Sequence, residues 1–337
     1  MTKLTNLGVH NVAGVTGRSY NLPCWRLSGL TILLGTFGWF HTDNQERVPT
    51  LLRVVDLSKA RRPAALVLET ERNLDLGSFY ATHDKVNDYL ASVGDATPIY
   101  QETGLAPPLY SSASALGFLL RELALPHGAI HSLQEVETVK PVAIGSEVKV
   151  TAFVEKPRRR AGLEFITVTC TMKSDGDVAL ISKSTVLVPP KDVSGTVAAE
   201  PKAADSASIS SELAVISKEI SQEQLHAYAR VSGDDNPLHL DAEFAAKTQF
   251  GGVIAHGMLT LAFVSEMMAQ SHGRVWLESA GLRVRFKGAA HLGAKVFAWG
   301  NFSKNQDSVR SYSVGVQNAV NGQELIAGTA SFNMDES

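Results

Sequence analysis

Apolar and polar positions along this chain change their spacing in a set order, and the order runs twice. In the first half, a helical spacing over residues 83–91 opens at Thr82 as an N-cap. A densely apolar stretch follows over 111–123, then period-two runs at 130–142, 147–155, 163–172 and 178–188. In the second half, Ser221 opens a helix over 222–231 with Gln224 placed for a capping box. The apolar stretch is 259–270, and the alternating runs fall at 282–286, 295–302, 308–317 and 323–332. Both apolar stretches are too uniformly hydrophobic for a surface helix, so each is expected at the centre of its half. Helices first and an antiparallel meander afterwards, twice over, predict an α+β architecture of two antiparallel sheets, each wrapped around a central helix. Residues 64–70 are the expected first strand of the first sheet.

The repetition also holds residue by residue. YLASVGDATPIYQE (89–102) aligns without a gap beneath YARVSGDDNPLHLD (228–241), matching Tyr89 to Tyr228, Gly94 to Gly233, Asp95 to Asp234 and Pro98 to Pro237. Between the copies, residues 189–211 are rich in Pro, Ala, Ser and Lys without apolar periodicity, the composition of a flexible linker. The expected organisation is an N-terminal extension (1–63) whose role is not legible in its pattern, a first repeat (64–188), a linker (189–211) and a second repeat (212–337).

Composition narrows the class. With 337 residues, 44% of them hydrophobic, the chain can bury a large core. A formal net charge of -3 leaves no broad basic field, so no nucleic-acid partner is expected. The local exception, KPRRR at 156–160, is read as a solvated loop between two strands. Cys24 and Cys170 lie far apart without metal-ligand spacing, so neither a disulfide framework nor a zinc site is expected, and a reducing cytoplasm fits. The apolar run 30–40 is shorter than the roughly 20 residues a spanning helix needs. It is read as a buried or interfacial helix or strand, with no transmembrane segment expected.

Candidate chemistry concentrates between residues 228 and 258. Asp234 and His239 are separated by Asn236 and Pro237, and the residue before a proline is pushed out of the α region. The two side chains therefore sit on a turn, free to converge. His256 and Gly257 follow where the second apolar helix begins, and a helix N-terminus offers free N–H groups and partial positive charge. Asp234, Asp235 and Asn236 ahead of a proline are also what an ordinary turn uses, but the downstream AHGM weighs against that reading. Asp241 is read as an N-cap, His226 as structural and His256 as a shaper of its turn. A metal site built from His239, Asp241 and His256 follows no common ligand spacing, so no metal is expected.

The segments SGDDNPLHLD and IAHGMLT resemble the signature of the MaoC-like hydratase and dehydratase family, which includes (R)-specific enoyl-CoA hydratases and (3R)-hydroxyacyl-thioester dehydratases. The resemblance runs from about residue 211 to the C-terminal end and, in degenerate form, over 64–188. It implies a double hot dog fold forming a pseudo-dimer, monomeric or paired as a homodimer. It also implies a cofactor-free hydro-lyase of lipid metabolism that interconverts (3R)-3-hydroxyacyl and trans-2-enoyl thioesters carried by CoA or acyl carrier protein. Carried over by position, it implies Asp234 and His239 as the catalytic pair, the Gly257 N–H as donor to the thioester oxygen, and Asn236 and Ser265 as substrate-positioning residues. In the first copy, Tyr100 stands for His239, Thr97 for Asn236 and PPLYS for AHGML. The resemblance therefore implies a catalytically silent first repeat whose Asp95 lacks its partner, and which completes the pseudo-dimeric sheet and gives room for a long acyl chain. Two other readings stay open: a hot dog acyl-thioesterase, and a non-catalytic acyl-thioester binding protein.

Overall fold

Buried positions alternate along the strands, and the buried faces turn toward apolar helices. A computed structural model describes residues 5–13, 19–27, 30–33, 70–123, 129–160, 163–188 and 211–334. The chain divides into two compact units, Met1–Val67 and Leu68–Ser337. In the first, β1 (Thr5–Ala13), β2 (Ser19–Leu27) and β3 (Leu30–Leu33) form a three-stranded antiparallel sheet. The apolar run 30–40 thus begins as a strand, and its remainder lies outside the described residues.

The second unit contains the repeat. Its first half comprises β4 (Arg72–Tyr80), α1 (His83–Val93), α2 (Ile99–Thr103), α3 (Pro108–Glu122), β5 (Ile130–Thr138), β6 (Glu147–Val154), β7 (Arg158–Arg160), β8 (Leu163–Ser174) and β9 (Asp177–Val188). Its second half comprises β10 (Ile216–Glu219), α4 (Gln222–Ser232), α5 (Pro237–Leu240), α6 (Ala242–Ala246), α7 (Gly257–His272), α8 (Arg274–Ser279), β11 (Gly281–Phe286), β12 (Lys295–Gln306), β13 (Val309–Asn318) and β14 (Glu324–Asn333).

Strand order carries the symmetry. Outward from the middle, one arm runs β5-β9-β8-β6-β4 and the other β11-β14-β13-β12-β10, so each strand has its counterpart at the same rank. The arms meet where β11 pairs antiparallel with β5, from Gly281 opposite Glu137 to Arg285 opposite Leu133. The two expected sheets are therefore continuous, one sheet of 11 strands. Along β6, Val148, Val150, Ala152 and Val154 are buried with period two, as a one-sided sheet requires. On α7 every residue from Met258 to Ala269 is buried, which places it at the centre of its half.

Local signals at the helix ends act as expected, with one exception. Thr82 Oγ1 accepts from the Lys85 N–H and Ser221 Oγ from the Gln224 N–H, and both helices stop at a left-handed glycine, Gly94 and Gly233. The Gln224 Oε1 has no partner among the described residues, so the returning half of the capping box is not made.

Several expectations need correction. The first strand of the large sheet is Arg72–Tyr80, while residues 64–69 lie outside the described residues. A bulge between Asp75 and Gly77 breaks its phase, so its buried pair, Leu74 and Phe79, is five apart and shows no alternation. β5 ends at Thr138, short of the expected 142, ahead of a turn containing Pro141, which has no N–H for a ladder. The KPRRR run is exposed as expected, but Arg158–Arg160 form a short strand on β8. The linker at 189–210 lies outside the described residues.

Candidate active site

Between α4 and α7 the chain makes three direction changes, each set by a local residue. α4 ends at Gly233, whose φ of 77° suits a residue without Cβ. Asn236 takes an extended backbone before Pro237, and its Oδ1 accepts from the Leu238 N–H, capping the short α5 that carries His239. Asp241 then caps α6, its Oδ1 accepting from the Glu243 and Phe244 N–H groups at 2.9 and 3.0 Å, the structural role expected for it.

These turns bring Asp234, His239 and His256 together, with one potential ligand atom of each within 4.8 Å of the others. His239 is 8% exposed, and its Nδ1–H donates to the Ile254 carbonyl at 2.8 Å. A carbonyl can only accept, so the neutral ring keeps its lone pair on Nε2. The Asp234 carboxylate accepts from the Asn236 N–H, while the Asp234 N–H donates to Ser232 Oγ. Burial raises the Asp234 carboxyl above the ordinary aspartate range against the pull of His239, and burial lowers the His239 imidazole although Asp234 opposes this. The two shifts move the carboxyl and the imidazole toward each other in proton affinity, which suits a pair that passes a proton between them.

His256 lies beneath this pair. Its Nε2–H donates to the Asp234 carbonyl at 3.0 Å, and its ring lies 3.9 Å from that of His239 between centres, tilted by 33°. The nearby cluster contains Asp234 where a metal reading from sequence would use Asp241.

Gly257 is the first residue of α7, so its N–H belongs to the unpaired first turn. A Cβ at this position would fall 2.9 Å from the Phe286 ring, so only glycine admits that contact. Ser265 lies two turns further along α7, buried, its Oγ accepting from Trp276 Nε1 at 3.1 Å. Asn236 is exposed and acts on the cap of α5. Phe286 was not legible as part of the site, because it is contributed by a strand far along the chain.

The first repeat differs at the corresponding place. The Tyr100 hydroxyl donates to Asp95 Oδ2 at 2.7 Å, and the Thr97 N–H donates to Asp95 Oδ1 at 2.9 Å. The expectation that Asp95 lacks a partner is therefore corrected: the residue standing for the histidine is the partner. Burial and Asp95 together hold the Tyr100 hydroxyl well above its usual pKa, so it stays a donor.

Part of the chain is similar to known proteins. The family model described as MaoC like domain matches residues 200–323. A 3-hydroxybutyryl-CoA dehydratase of Methylorubrum extorquens is 43% identical over 54 residues, 16% of this chain and 34% of that protein. An (R)-specific enoyl-CoA hydratase of Aeromonas caviae is 38% identical over 86 residues, 25% of this chain and 62% of that protein. The chain thus spans less than two thirds of the length of these relatives. Among solved structures, a MaoC-like dehydratase superposes with a TM-score of 0.66 at 20% identity, over 80% of this chain and 99% of its own. A conserved hypothetical protein of Mycobacterium tuberculosis, described as having a double hotdog fold, gives 0.53 at 12% identity, over 79% and 96%. Residues 200–323 are thus similar to a MaoC like domain, and the large sheet with its two central helices has a double hot dog fold.

Proposed function

We propose that this protein is a hydro-lyase interconverting (3R)-3-hydroxyacyl thioesters and trans-2-enoyl thioesters carried by CoA or acyl carrier protein. The observation that carries this is the placing of the Asp234 carboxylate and a His239 ring nitrogen within 4.8 Å at the amino end of α7. At such a separation one water hydrogen-bonds to both groups at ordinary distances. In the hydration direction the pair removes a proton from that water, and the oxygen attacks C3 of the enoyl thioester. The electron pair of the double bond moves to the thioester oxygen, where the Gly257 N–H and the helix end stabilise the enolate. The enolate collapses and C2 takes a proton from the pair, so the addition balances. Asn236 supports the reaction by capping the helix that carries His239, and Ser265 borders the substrate from α7.

The first repeat has no part in the chemistry, because both oxygens of Asp95 are engaged within its own turn. It completes the sheet. The protein acts in fatty acid or lipid metabolism in a reducing cytoplasm, in keeping with the buried free thiol of Cys170. No helix among the described residues is long and apolar enough to cross a membrane.

The test is loss of enoyl absorbance with crotonyl-CoA and longer enoyl-CoA substrates. Asp234→Asn and His239→Ala are each expected to lower kcat by about a thousandfold while far-UV circular dichroism stays unchanged. Undiminished turnover in either variant would overturn the assignment, as would release of free thiol without any change in enoyl absorbance, the result a thioesterase gives.

A further inference from the structure

His256 takes no part in the chemistry just described, yet its ring touches both members of the pair. Its edge holds the Asp234 backbone through the Nε2–H, and its face lies on the His239 ring. It is 1% exposed, with the Tyr228 ring 5.0 Å away on another side. The first repeat acts as an internal control. It keeps Tyr89, Gly94, Asp95 and Pro98 but has neither histidine: Tyr100 stands for His239, and the N-cap of α3, the place His256 holds on α7, is Pro107, one residue off the pairing that aligning PPLYS with AHGML gives. There the aspartate bonds directly to the side chain five positions on, at 2.7 Å. In the second repeat the aspartate carbonyl is tethered to His256, and the carboxylate, though within 4.8 Å of a His239 ring nitrogen, makes no direct hydrogen bond to it.

We propose that His256 is a positioning residue for the hydration reaction, holding Asp234 by its backbone and His239 by its face so that the two remain a water's width apart. The proposal rests on the reading of Asp234 and His239 as the reacting pair. The titratable groups in contact with His256 are Asp234 on the loop after α4, Tyr228 on α4 and His239 on α5. Burial and the neighbouring His239 keep the His256 imidazole neutral, well below the usual histidine range, which suits a fixed tether. Without the tether, Asp234 closes onto His239 as Asp95 closes onto Tyr100, expelling the water and favouring the imidazolium.

His256→Phe keeps a ring of similar size and removes the donor; His256→Gln keeps an N–H and removes the ring. In the Phe variant kcat for crotonyl-CoA hydration is expected to fall about tenfold or more with KM nearly unchanged. The acid limb of the pH profile should move upward by about half a unit, since one histidine must then be deprotonated against a nearer carboxylate. The Gln variant should recover part of the lost kcat. An unmoved acid limb, or equal losses in both variants accompanied only by a lower Tm, would overturn the proposal. Imidazole nitrogen NMR reads the same effect without substrate: the His239 pKa rises in His256→Phe, and in the parent protein His256 stays the neutral Nε2–H tautomer throughout the titration. If the parent protein hydrates no enoyl thioester yet the His239 pKa still rises, the hydro-lyase reading fails and the tether stands. An unchanged His239 pKa sinks the tether whatever the activity.

Discussion

At the scale of single residues, the spacing of Asp234 and His239 could be read from sequence because a proline between them forces a turn. Their environment could not be, since it depends on what is packed above the turn. The same burial that tunes the pair affects other imidazoles. His131 and His272 are both pushed down to about 4, chiefly by desolvation. A histidine with a depressed folded pKa supplies stability above its unfolded pKa near 6.5, and that stability is lost as pH falls through the folded value. The Tm is therefore expected to drop between about pH 6.5 and 4. His131→Phe should lose several degrees less than the parent across that window in thermal melts followed by circular dichroism. Parallel curves for the two proteins would mean that His131 is solvated in the folded state.

Among the secondary-structure elements, the long ones were legible and the short or irregular ones were not. α7 and the meander strands declare themselves by density and by period, whereas β4 hides its phase behind a bulge and β10 is only four residues long. How closely helices approach was not legible either. A Cβ on Gly117 of α3 would lie 1.9 Å from the Ser232 carbonyl at the end of α4, so the two helices meet through backbone there. Gly117→Ala must push them apart, costing about 1–3 kcal/mol. The displacement reaches the site, because Ser232 Oγ accepts from the Asp234 N–H. Both the urea midpoint and kcat are thus expected to fall in this variant, although Gly117 belongs to the first repeat. A parent-like midpoint would show that α3 and α4 are less closely packed.

At the scale of the whole molecule, the halves are held by contacts that no single repeat contains. Lys218 of β10 donates to the Gly94 carbonyl at the end of α1 and lies 3.0 and 2.9 Å from the two carboxylate oxygens of Glu266 on α7. Burial raises the Glu266 carboxyl to about 7, with Lys218 opposing the rise. A carboxyl raised in the folded state costs stability as pH rises through that value, and Lys218 offsets the cost. Lys218→Met leaves the carboxylate buried without its cation, which should cost about 3–5 kcal/mol at pH 8. The loss should be much smaller at about pH 5, where Glu266 is protonated. Denaturant unfolding at the two pH values checks this, and equal losses would mean that Glu266 is already neutral at pH 8. By itself the sequence determined the repeat, the order of helix and strand within it, and the short segment from which Asp234, His239 and His256 come together, because those follow from periodicity and from spacing along the chain. Only the tertiary structure decided that β5 and β11 join two sheets into one, that Tyr100 occupies Asp95, that Phe286 covers Gly257 and that His256 ties Asp234 to His239. Each of these depends on which surfaces meet once distant segments are buried together, and the chain carries no local signal for that.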